Sequence, residues 1–369
     1  MTSFDLVVVG AGIVGLAHGL AAIRKKLRVA IIDCDAKATG ASVRNFGFVT
    51  VSGQAAGATR ARSLRSREVW EEACAAAGIP ILQRGAIVVA RREEAQAVLG
   101  EFAASAMGEG CELWDAARAG RELPMLAPGA AGALWSPHEI RIEAREAIGR
   151  LAAWLESRGV AFLRGMAFDF DGKRLRHSGG TIEAGAAIYA PGNSITAMFP
   201  SIGMRERVRS CKLQMMRLAS PGWKLPGVAM GDLSLVRYEG FASQPSAVAL
   251  RNRLGREVPE CLAHGIHVIA AQGADGSLVV GDSHAYGEGT DAFADAATDE
   301  LILQELRALF RLGDENIVER WTGYYPVADT KPLLREAIGE RARLVVVTSG
   351  TGMSTGFAIG EETVAELFG

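Results

Sequence analysis

The chain contains few of the residues that build covalent or metal-bound frameworks. Its 369 residues include five cysteines and six histidines. The cysteines are odd in number and scattered without C-x-x-C spacing, which argues against a disulfide framework and against a zinc site. His264, His267 and His284 also share no metal-like spacing. We therefore predict that the protein binds no metal ion.

Long apolar runs and an excess of charge of one sign are missing as well. No run approaches the roughly 20 apolar residues of a membrane helix, and the apolar stretch at the amino terminus lacks the basic flank of a signal peptide. Lys and Arg total 40 against 42 for Asp and Glu, a formal net charge of −2. This balance predicts neither a nucleic-acid nor a membrane partner. We expect a cytoplasmic protein with a large core, divided into two domains.

The most informative segment is residues 4–33. A short β-branched run ends in the turn Gly10-x-Gly12-x-x-Gly15, a helix-like stretch follows, and a second apolar run carries Asp33 at its carboxyl end. This order predicts a dinucleotide site, with Gly10 for the tight turn, Gly12 for the approach of a pyrophosphate and Gly15 for close helix packing. Asp33 would accept hydrogen bonds from a ribose hydroxyl. The competing interpretation is a glycine-rich turn of some other α/β protein.

A second glycine-rich turn near the carboxyl end favours FAD over NAD(P). Residues 343–348 form a strand-like run, Gly350-x-Gly352 follows, and a helix-like segment runs to Phe368. FAD is long enough to use two helix N-termini, one facing the pyrophosphate and one facing the isoalloxazine ring. An NAD(P)-dependent dehydrogenase, which usually has a contiguous Rossmann unit, is the alternative from another class.

The order of the strand-like segments indicates two interleaved domains. We predict an FAD-binding domain from residues 1–80, 140–212 and 323–369, and a substrate domain from residues 81–139 and 213–322. From Leu213 to Trp321 the sequence indicates mainly antiparallel strands, interrupted by one clear helix, Thr298–Arg311. The predicted fold class is α/β, with a Rossmann-type domain and an interleaved antiparallel sheet.

Five motifs follow one another along the chain. They are Gly10/Gly12/Gly15 with Asp33, residues 39–47, Ala190-Pro191-Gly192, residues 321–326 with Asp329 and Pro332, and Gly350-x-Gly352-Met353. In this order they resemble the glycine oxidase/D-amino-acid oxidase (DAO-type) family of FAD-dependent oxidoreductases over nearly the whole length. The resemblance implies a glutathione-reductase-like FAD domain. The cofactor-binding residues that we predict are Gly10, Gly12, Ile13, Val14, Gly15, Asp33, Cys34, Ser42, Arg44, Asn45, Gly47, Ala167, Ala190, Gly192, Gly350, Gly352, Met353 and Ser354.

The resemblance also implies how the FAD is held. Some members attach the flavin covalently, through a histidine in the early loop or a cysteine near the carboxyl end. Here the early loop has Arg44 and Asn45, and the last cysteine is Cys261. We therefore predict noncovalent FAD.

The activity that the resemblance implies is oxidation of an amine. A hydride passes from the carbon next to nitrogen to the flavin, and water hydrolyses the resulting imine. Amino-acid oxidases of the family typically have an arginine before the proline of the fourth motif, where it holds the substrate carboxylate in a bidentate pair. Tyr325 occupies that position here. A phenol cannot neutralise a carboxylate, so an α-amino acid in the usual pose is disfavoured.

Residues 42–47, continuing to Gln54, resemble a branch of the family associated with phosphonate breakdown. This implies 2-aminoethylphosphonate or an N-methyl derivative as substrate and phosphonoacetaldehyde as product. We predict Tyr325 and Arg44 as catalytic residues, and both, with Gln54, as substrate-binding residues. A contact of Arg44 with FAD alone is the competing interpretation for that side chain. A glycine, sarcosine or D-amino-acid oxidase and a non-enzymatic flavin-bound protein stay open, as does the choice between monomer and homodimer.

Overall fold

The computed structural model describes residues 3–287, 292–313, 315–329 and 331–369. The strands are β1 (Phe4–Val9), β2 (Val29–Asp33), β3 (Phe48–Val49), β4 (Ile81–Ala90), β5 (Glu112–Asp115), β6 (Gly132–Ile142), β7 (Ala161–Arg164), β8 (Ala167–Phe170), β9 (Arg174–His177), β10 (Gly180–Tyr189), β11 (Arg209–Leu218), β12 (Val228–Met230), β13 (Ile269–Gln272), β14 (Leu278–Gly281), β15 (Ala285–Gly287), β16 (Ile317–Val327), β17 (Leu333–Ala337) and β18 (Ala342–Val347).

The helices connect these strands or pack on the sheets. They are α1 (Ile13–Arg24), α2 (Ala58–Ala77), α3 (Glu93–Ala104), α4 (Ala116–Glu122), α5 (Ala144–Ser157), α6 (Ile195–Met198), α7 (Pro200–Arg205), α8 (Asp232–Leu235), α9 (Glu239–Ala242), α10 (Ala247–Glu257), α11 (Pro259–Ala263), α12 (Ala296–Leu309) and α13 (Gly352–Phe368). Among the described residues, no helix is both long enough and apolar enough to cross a membrane.

The first sheet carries the predicted dinucleotide motif. Its main path runs β17-β18-β10-β1-β2-β7, and β1 pairs in parallel with both β2 and β10. Strand β1 is almost wholly buried, as expected for a strand that is covered on both faces of a parallel sheet. The return of β10 to the side of β1, and of β18 to the side of β10, agrees with the prediction that distant segments rejoin this sheet.

The second sheet is mainly antiparallel, with the path β15-β11-β14-β13-β12-β4-β6-β3. Strand β16 pairs along nearly the whole of β11 and places Tyr325 opposite Cys211. The fold class is α/β, as predicted. The predicted domain boundaries at 139/140, 212/213 and 322/323 fall inside β6, β11 and β16, so those strands continue across them. The division into domains stays a prediction.

One secondary-structure prediction is wrong. Between Leu213 and Trp321 the chain contains α8, α9, α10 and α11 in addition to α12. The predicted helix Thr298–Arg311 corresponds to α12, but the sequence pattern does not indicate the others because most are only four or five residues long. Helix α10 is longer, but its apolar side consists of few residues, of which Leu250 and Leu254 are buried.

Candidate functional site

A cleft of about 710 Å³ lies between the two sheets. Its lining includes the amino end of α1, the loop before β3, the turn before α13, the middle of β11, the start of β13 and the end of β16. The cleft therefore runs from the predicted cofactor end to a region under the second sheet. We call this region, lined by Arg237, His267, Asp282, His284 and Tyr286, the chamber.

The first glycine turn is shaped by contacts of the backbone. Gly10 has a φ of +105°, and a Cβ there would lie 2.4 Å from the Ala190 carbonyl oxygen. A Cβ on Gly15 would lie 1.8 Å from the Gly10 carbonyl oxygen. Only glycine permits this conformation and this closeness, which bring the start of α1 against the end of β1. Gly10 and Gly15 thus shape the turn from behind, and Gly12 lines the cleft.

The acceptors at the first turn are already ordered by backbone donors. The Ile13 N–H donates to Ser42 Oγ over 2.9 Å, so the early loop is docked at the N-terminus of α1. The Asp33 carboxylate accepts N–H groups of Ala11 at 2.6 Å and of Asp35 at 2.9 Å. This fixes the carboxylate at the carboxyl end of β2, where a ribose ligand is expected.

The early loop is locked by its own side chains. The Asn45 side chain donates to the Ala41 carbonyl and accepts the Gly47 N–H, each at 2.7 Å. The Arg44 guanidinium donates to the Thr322 carbonyl at 3.3 Å and so ties the loop to β16. Both Arg44 and Asn45 line the cleft.

The turn before α13 closes the same cleft from the other side. Gly350 has a φ of +73°, and a Cβ there would lie 3.0 Å from Cζ of Tyr325. Ser354 Oγ accepts the Thr50 N–H at 3.0 Å, while the buried Thr50 Oγ1 has no hydrogen-bond partner among the described residues. An unpartnered polar atom in the cleft lining indicates a ligand that would satisfy it.

The predicted cofactor residues are only partly brought together. Those that line the cleft are Gly12, Ile13, Val14, Ser42, Arg44, Asn45, Ala190, Gly192, Gly350, Gly352, Met353 and Ser354. Cys34 is exposed at the end of β2. Ala167 is buried in the core beside Val7 and Ile32. Neither of these two is in the lining, and the same holds for the predicted ribose ligand Asp33. Gly47 lies behind the lining, where a Cβ would meet the Ile142 carbonyl oxygen at 1.8 Å.

The chamber contains polar residues that the sequence did not indicate. His267 and His284 flank Asp282, with Nε2–carboxylate distances of 3.2 and 3.7 Å. Arg237 and Tyr286 are joined by a hydrogen bond of 2.9 Å from the guanidinium to the phenol oxygen. All five line the cleft. The spacing of the histidines along the sequence predicts no shared site, whereas the fold brings His267 and His284 together around Asp282.

Burial sets the protonation of this group. It raises the pKa of Asp282 to about 7, although the Arg237 charge acts in the opposite direction. It lowers the pKa of His267 and of His284 well below the usual value, with a further contribution from Arg237. The His284 Nδ1–H donates to the Gly265 carbonyl at 2.9 Å, which leaves Nε2 with a lone pair toward Asp282. Both imidazoles are therefore neutral near pH 7.

The cleft residues fit a long dinucleotide. Helices α1 and α13 both begin at the cleft, and neither N-cap residue makes a side-chain cap hydrogen bond. The Ile13 N–H is taken by Ser42, but the other N–H groups of the first turn and the helix dipole at such ends favour anionic or electron-rich groups. Two helix ends at one cleft, together with the unpartnered Thr50 hydroxyl, match the two ends of a dinucleotide that carries a flavin.

Comparison with known proteins agrees with this geometry. The family model described as "DAO: FAD dependent oxidoreductase" matches residues 5–366. None of the curated proteins matches the sequence. The structure is similar to that of glycine oxidase from Geobacillus kaustophilus, with a TM-score of 0.77 at 20% identity over 100% of this chain and 95% of that one.

Two further solved structures share the fold. Iminodiacetate oxidase from Chelativorans sp. BNC1 gives a TM-score of 0.76 at 19% identity, covering 98% of this chain and 95% of that chain. Reduced L-α-glycerophosphate oxidase from Mycoplasma pneumoniae, with FAD bound, gives a TM-score of 0.76 at 14% identity, covering 100% of this chain and 95% of that chain. At these identities the likeness concerns the fold.

Proposed function

The chain belongs to the DAO family of FAD-dependent oxidoreductases, and we propose that it oxidises the C–N bond of a small amine that carries an anionic group. FAD is its cofactor. The substrate that we propose is 2-aminoethylphosphonate or an N-methyl derivative, which would yield phosphonoacetaldehyde.

The observation that carries this proposal is the position of Tyr325. Its ring lies against Gly350, in the turn just before α13. The resemblance implies a carboxylate-binding arginine at this place. Burial raises the pKa of Tyr325 well above its usual value, so the phenol stays neutral. A neutral donor at this point supports a substrate whose charged group lies farther from the reacting carbon than an α-carboxylate does.

Two further points support the choice of a phosphonate. The loop residues that resemble the phosphonate-associated branch, including Ser42, Arg44 and Gln54, line the cleft. Three proteins with similar structures are described as oxidases of glycine, iminodiacetate and L-α-glycerophosphate, and each of these small molecules carries a carboxylate or phosphate group.

Bound FAD would supply the hydride acceptor for the reaction. The side chains of this chain would orient the amine and remove its proton, since an ammonium group has no lone pair to assist loss of hydride. Asp282 is the buried carboxyl group of the chamber, and its pKa of about 7 suits it to accept that proton. Tyr325 would donate one hydrogen bond to the substrate.

Arg44 and Gln54 are proposed as supporting substrate contacts. Arg44 already donates to the Thr322 carbonyl, and the Gln54 amide lies 3.4 Å from the Thr50 carbonyl. Both side chains are therefore held in place by one N–H group, and another N–H group of the same side chain can donate to a ligand. Arg44→Ala tests the role: we expect weaker phosphonate binding with FAD retained, whereas loss of FAD would assign the side chain to the cofactor.

Anaerobic mixing of the holoenzyme with an amine panel tests the proposed reaction. The panel contains glycine, sarcosine, D-alanine, 2-aminoethylphosphonate and its N-methyl derivatives, and bleaching of the flavin absorbance is followed. We expect the aminophosphonates to reduce the flavin fastest. Reduction by the amino acids alone would contradict the substrate and favour the second candidate, an amino-acid oxidase. The glycine oxidase and iminodiacetate oxidase folds are the observation in its favour.

A further inference from the structure

The chamber contains a cation that the family motifs do not account for. Arg237 follows α8 and lines the cleft. In the described part of the chain its guanidinium has one hydrogen-bond partner, the Tyr286 phenol, and it forms no ion pair there, since the nearby Asp282 carboxylate pairs with His267 and His284. A guanidinium has five N–H donors. Most of its donors thus remain available to a ligand in the cleft.

Arg237 is not simply the counter-ion of Asp282. The pKa of Asp282 stays well above its usual value although Arg237 lowers it, whereas a direct ion pair would depress a carboxyl pKa. Burial works against the charge on Arg237, but Tyr325, Tyr286 and Asp282 together keep its pKa above the ordinary value. The positive charge is permanent and is left without a fixed partner.

Tyr286 adds a second donor at the mouth of the chamber. The side chain is 44% exposed, and its phenol oxygen accepts the hydrogen bond from Arg237, so the O–H of Tyr286 is a donor that a ligand can use. The Arg209 guanidinium stands 5.8 Å from the centroid of the Tyr286 ring. Arg209 is itself paired with Asp329, so it helps to hold the Tyr286 ring and supplies no free charge. The planar Arg237 cation and the Tyr286 O–H together suit an oxyanion with several acceptor oxygens.

We propose that Arg237 and Tyr286 form the anion subsite of the chamber, which binds the phosphonate end of the amine substrate. The inference rests on the proposed function in taking this anion to be part of the substrate. It also gives a physical reason why position 325 can be a tyrosine: the charge that neutralises the substrate anion comes from the α8 side of the chamber. Carboxylates would bind the same donors more weakly because they have fewer acceptor oxygens and less charge.

Methylphosphonate is a suitable probe because it has no amine to be oxidised. We would titrate the holoenzyme and follow the perturbation of the flavin spectrum, with acetate and inorganic phosphate as parallel ligands. Removing a hydrogen bond to a charged group should weaken methylphosphonate binding roughly 10- to 100-fold in Arg237→Met. Arg237→Lys keeps the charge but loses the planar, two-pronged guanidinium, so its affinity for methylphosphonate should be intermediate. Tyr286→Phe should lower that affinity roughly 3- to 10-fold.

Arg253→Met is the matched control, because Arg253 pairs with Glu94 and Glu257 on the surface. It should bind methylphosphonate like the unaltered protein. Unchanged affinity in Arg237→Met and Arg237→Lys that retain FAD would overturn the subsite. Equal or tighter binding of acetate would overturn the phosphonate assignment, and binding of phosphate but not methylphosphonate would assign the subsite to a free anion rather than to the substrate.

The two proposals can fail separately. If methylphosphonate binding depends on Arg237 but no amine of the panel bleaches the flavin, the subsite stands and the proposed reaction fails. If 2-aminoethylphosphonate reduces the flavin with the same apparent affinity in the unaltered protein and in Arg237→Met, the reaction stands and the subsite fails.

Discussion

The carboxyl group of Asp282 lies between two neutral imidazoles, where a negative charge is poorly solvated. The residue is 6% exposed, and its Oδ1 has no well-aligned hydrogen bond among the described residues although His267 Nε2 is 3.2 Å away. The fold thus keeps a costly carboxyl group in the chamber. A group that titrates near neutral pH at this point is useful if it exchanges a proton with the substrate.

Asp282→Asn should reveal this cost in the pH dependence of stability. The folded-state pKa is raised from 3.8 to about 7, so the stability of the unaltered protein declines as the pH rises from about 4 to about 7. We expect the variant to gain about 2–3 kcal/mol in free energy of unfolding, relative to the unaltered protein, between pH 5 and pH 8. Urea unfolding with saturating FAD at both pH values measures the difference.

Asp275→Asn is the control for that experiment. The Ser277 hydroxyl and N–H lower the pKa of the Asp275 carboxyl, so its contribution has the opposite sign and this variant should not gain stability at pH 8. If the difference in free energy of unfolding between Asp282→Asn and the unaltered protein does not depend on pH, the pKa of Asp282 is not raised in the folded protein.

Tyr325→Phe should separate substrate binding from cofactor binding. The variant keeps the ring against Gly350 and removes only the donor, so FAD should stay bound. Loss of one hydrogen bond of about 0.5–1.5 kcal/mol predicts a roughly 2- to 12-fold fall in the apparent second-order rate of flavin reduction. Stopped-flow reduction by 2-aminoethylphosphonate measures it. An unchanged rate would remove Tyr325 from the site.

At the scale of elements, the cofactor end depends on how closely two helices approach the cleft. The start of α1 is held by the glycine turn and by Ser42. The start of α13 is held by the Trp70 indole, which donates to the Met353 carbonyl at 2.8 Å. These contacts position both helix ends before any ligand arrives.

Gly12→Ala should weaken FAD binding without unfolding the protein. The Cβ would stand 3.0 Å from Ser42 Oγ, in the space where a pyrophosphate approaches the backbone. We expect FAD affinity to fall at least about 10-fold, equivalent to 1.4 kcal/mol, as read from the ratio of flavin to protein absorbance after dialysis. Gly149→Ala, whose Cβ meets nothing within 4 Å in α5, should retain FAD and gain roughly 0.5–1 kcal/mol. FAD retention by Gly12→Ala would contradict the assignment.

At the scale of the whole molecule, the cofactor cleft joins the two sheets. The early loop contacts β16 through Arg44, and Tyr325 of β16 contacts the turn before α13. On the outside, Arg62 and Arg65 of α2 pair with Glu362 and Glu361 of α13. A ligand that fills the cleft is therefore expected to stabilise both sheets together.

We expect the whole chain to melt in a single transition, and the addition of FAD to apoprotein should raise its melting temperature. Binding to the folded state alone stabilises by about 4 kcal/mol at 1,000 times the Kd. We expect tryptophan fluorescence, which reports Trp70 in the core under the first sheet and Trp114 in the core under the second, to melt at the same temperature as flavin release. Two separate transitions would show that the sheets unfold independently.

The sequence by itself determined the cofactor end of this protein, because the features there act locally. Gly10, Gly15 and Gly350 are required by the sterics of turns next to strands, so a strand, a glycine turn and a helix can be predicted from neighbouring residues. The place of Tyr325 in a motif was equally visible. The short helices α8, α9 and α11 were not, because a few residues carry no clear periodicity.

Only the tertiary structure decided the chamber. Strands β13 and β14 pair antiparallel with Ile269 opposite Gly281, and this register brings His267 beside Asp282 and His284. Arg237 reaches the same chamber because β12 pairs with β13, after which α8 returns the chain to the cleft. Register and burial are set by contacts between distant segments. They place the positive charge of Arg237 at one side of the chamber and the proton-accepting carboxyl group of Asp282 at the other. The spacing of these residues along the chain could not indicate this arrangement.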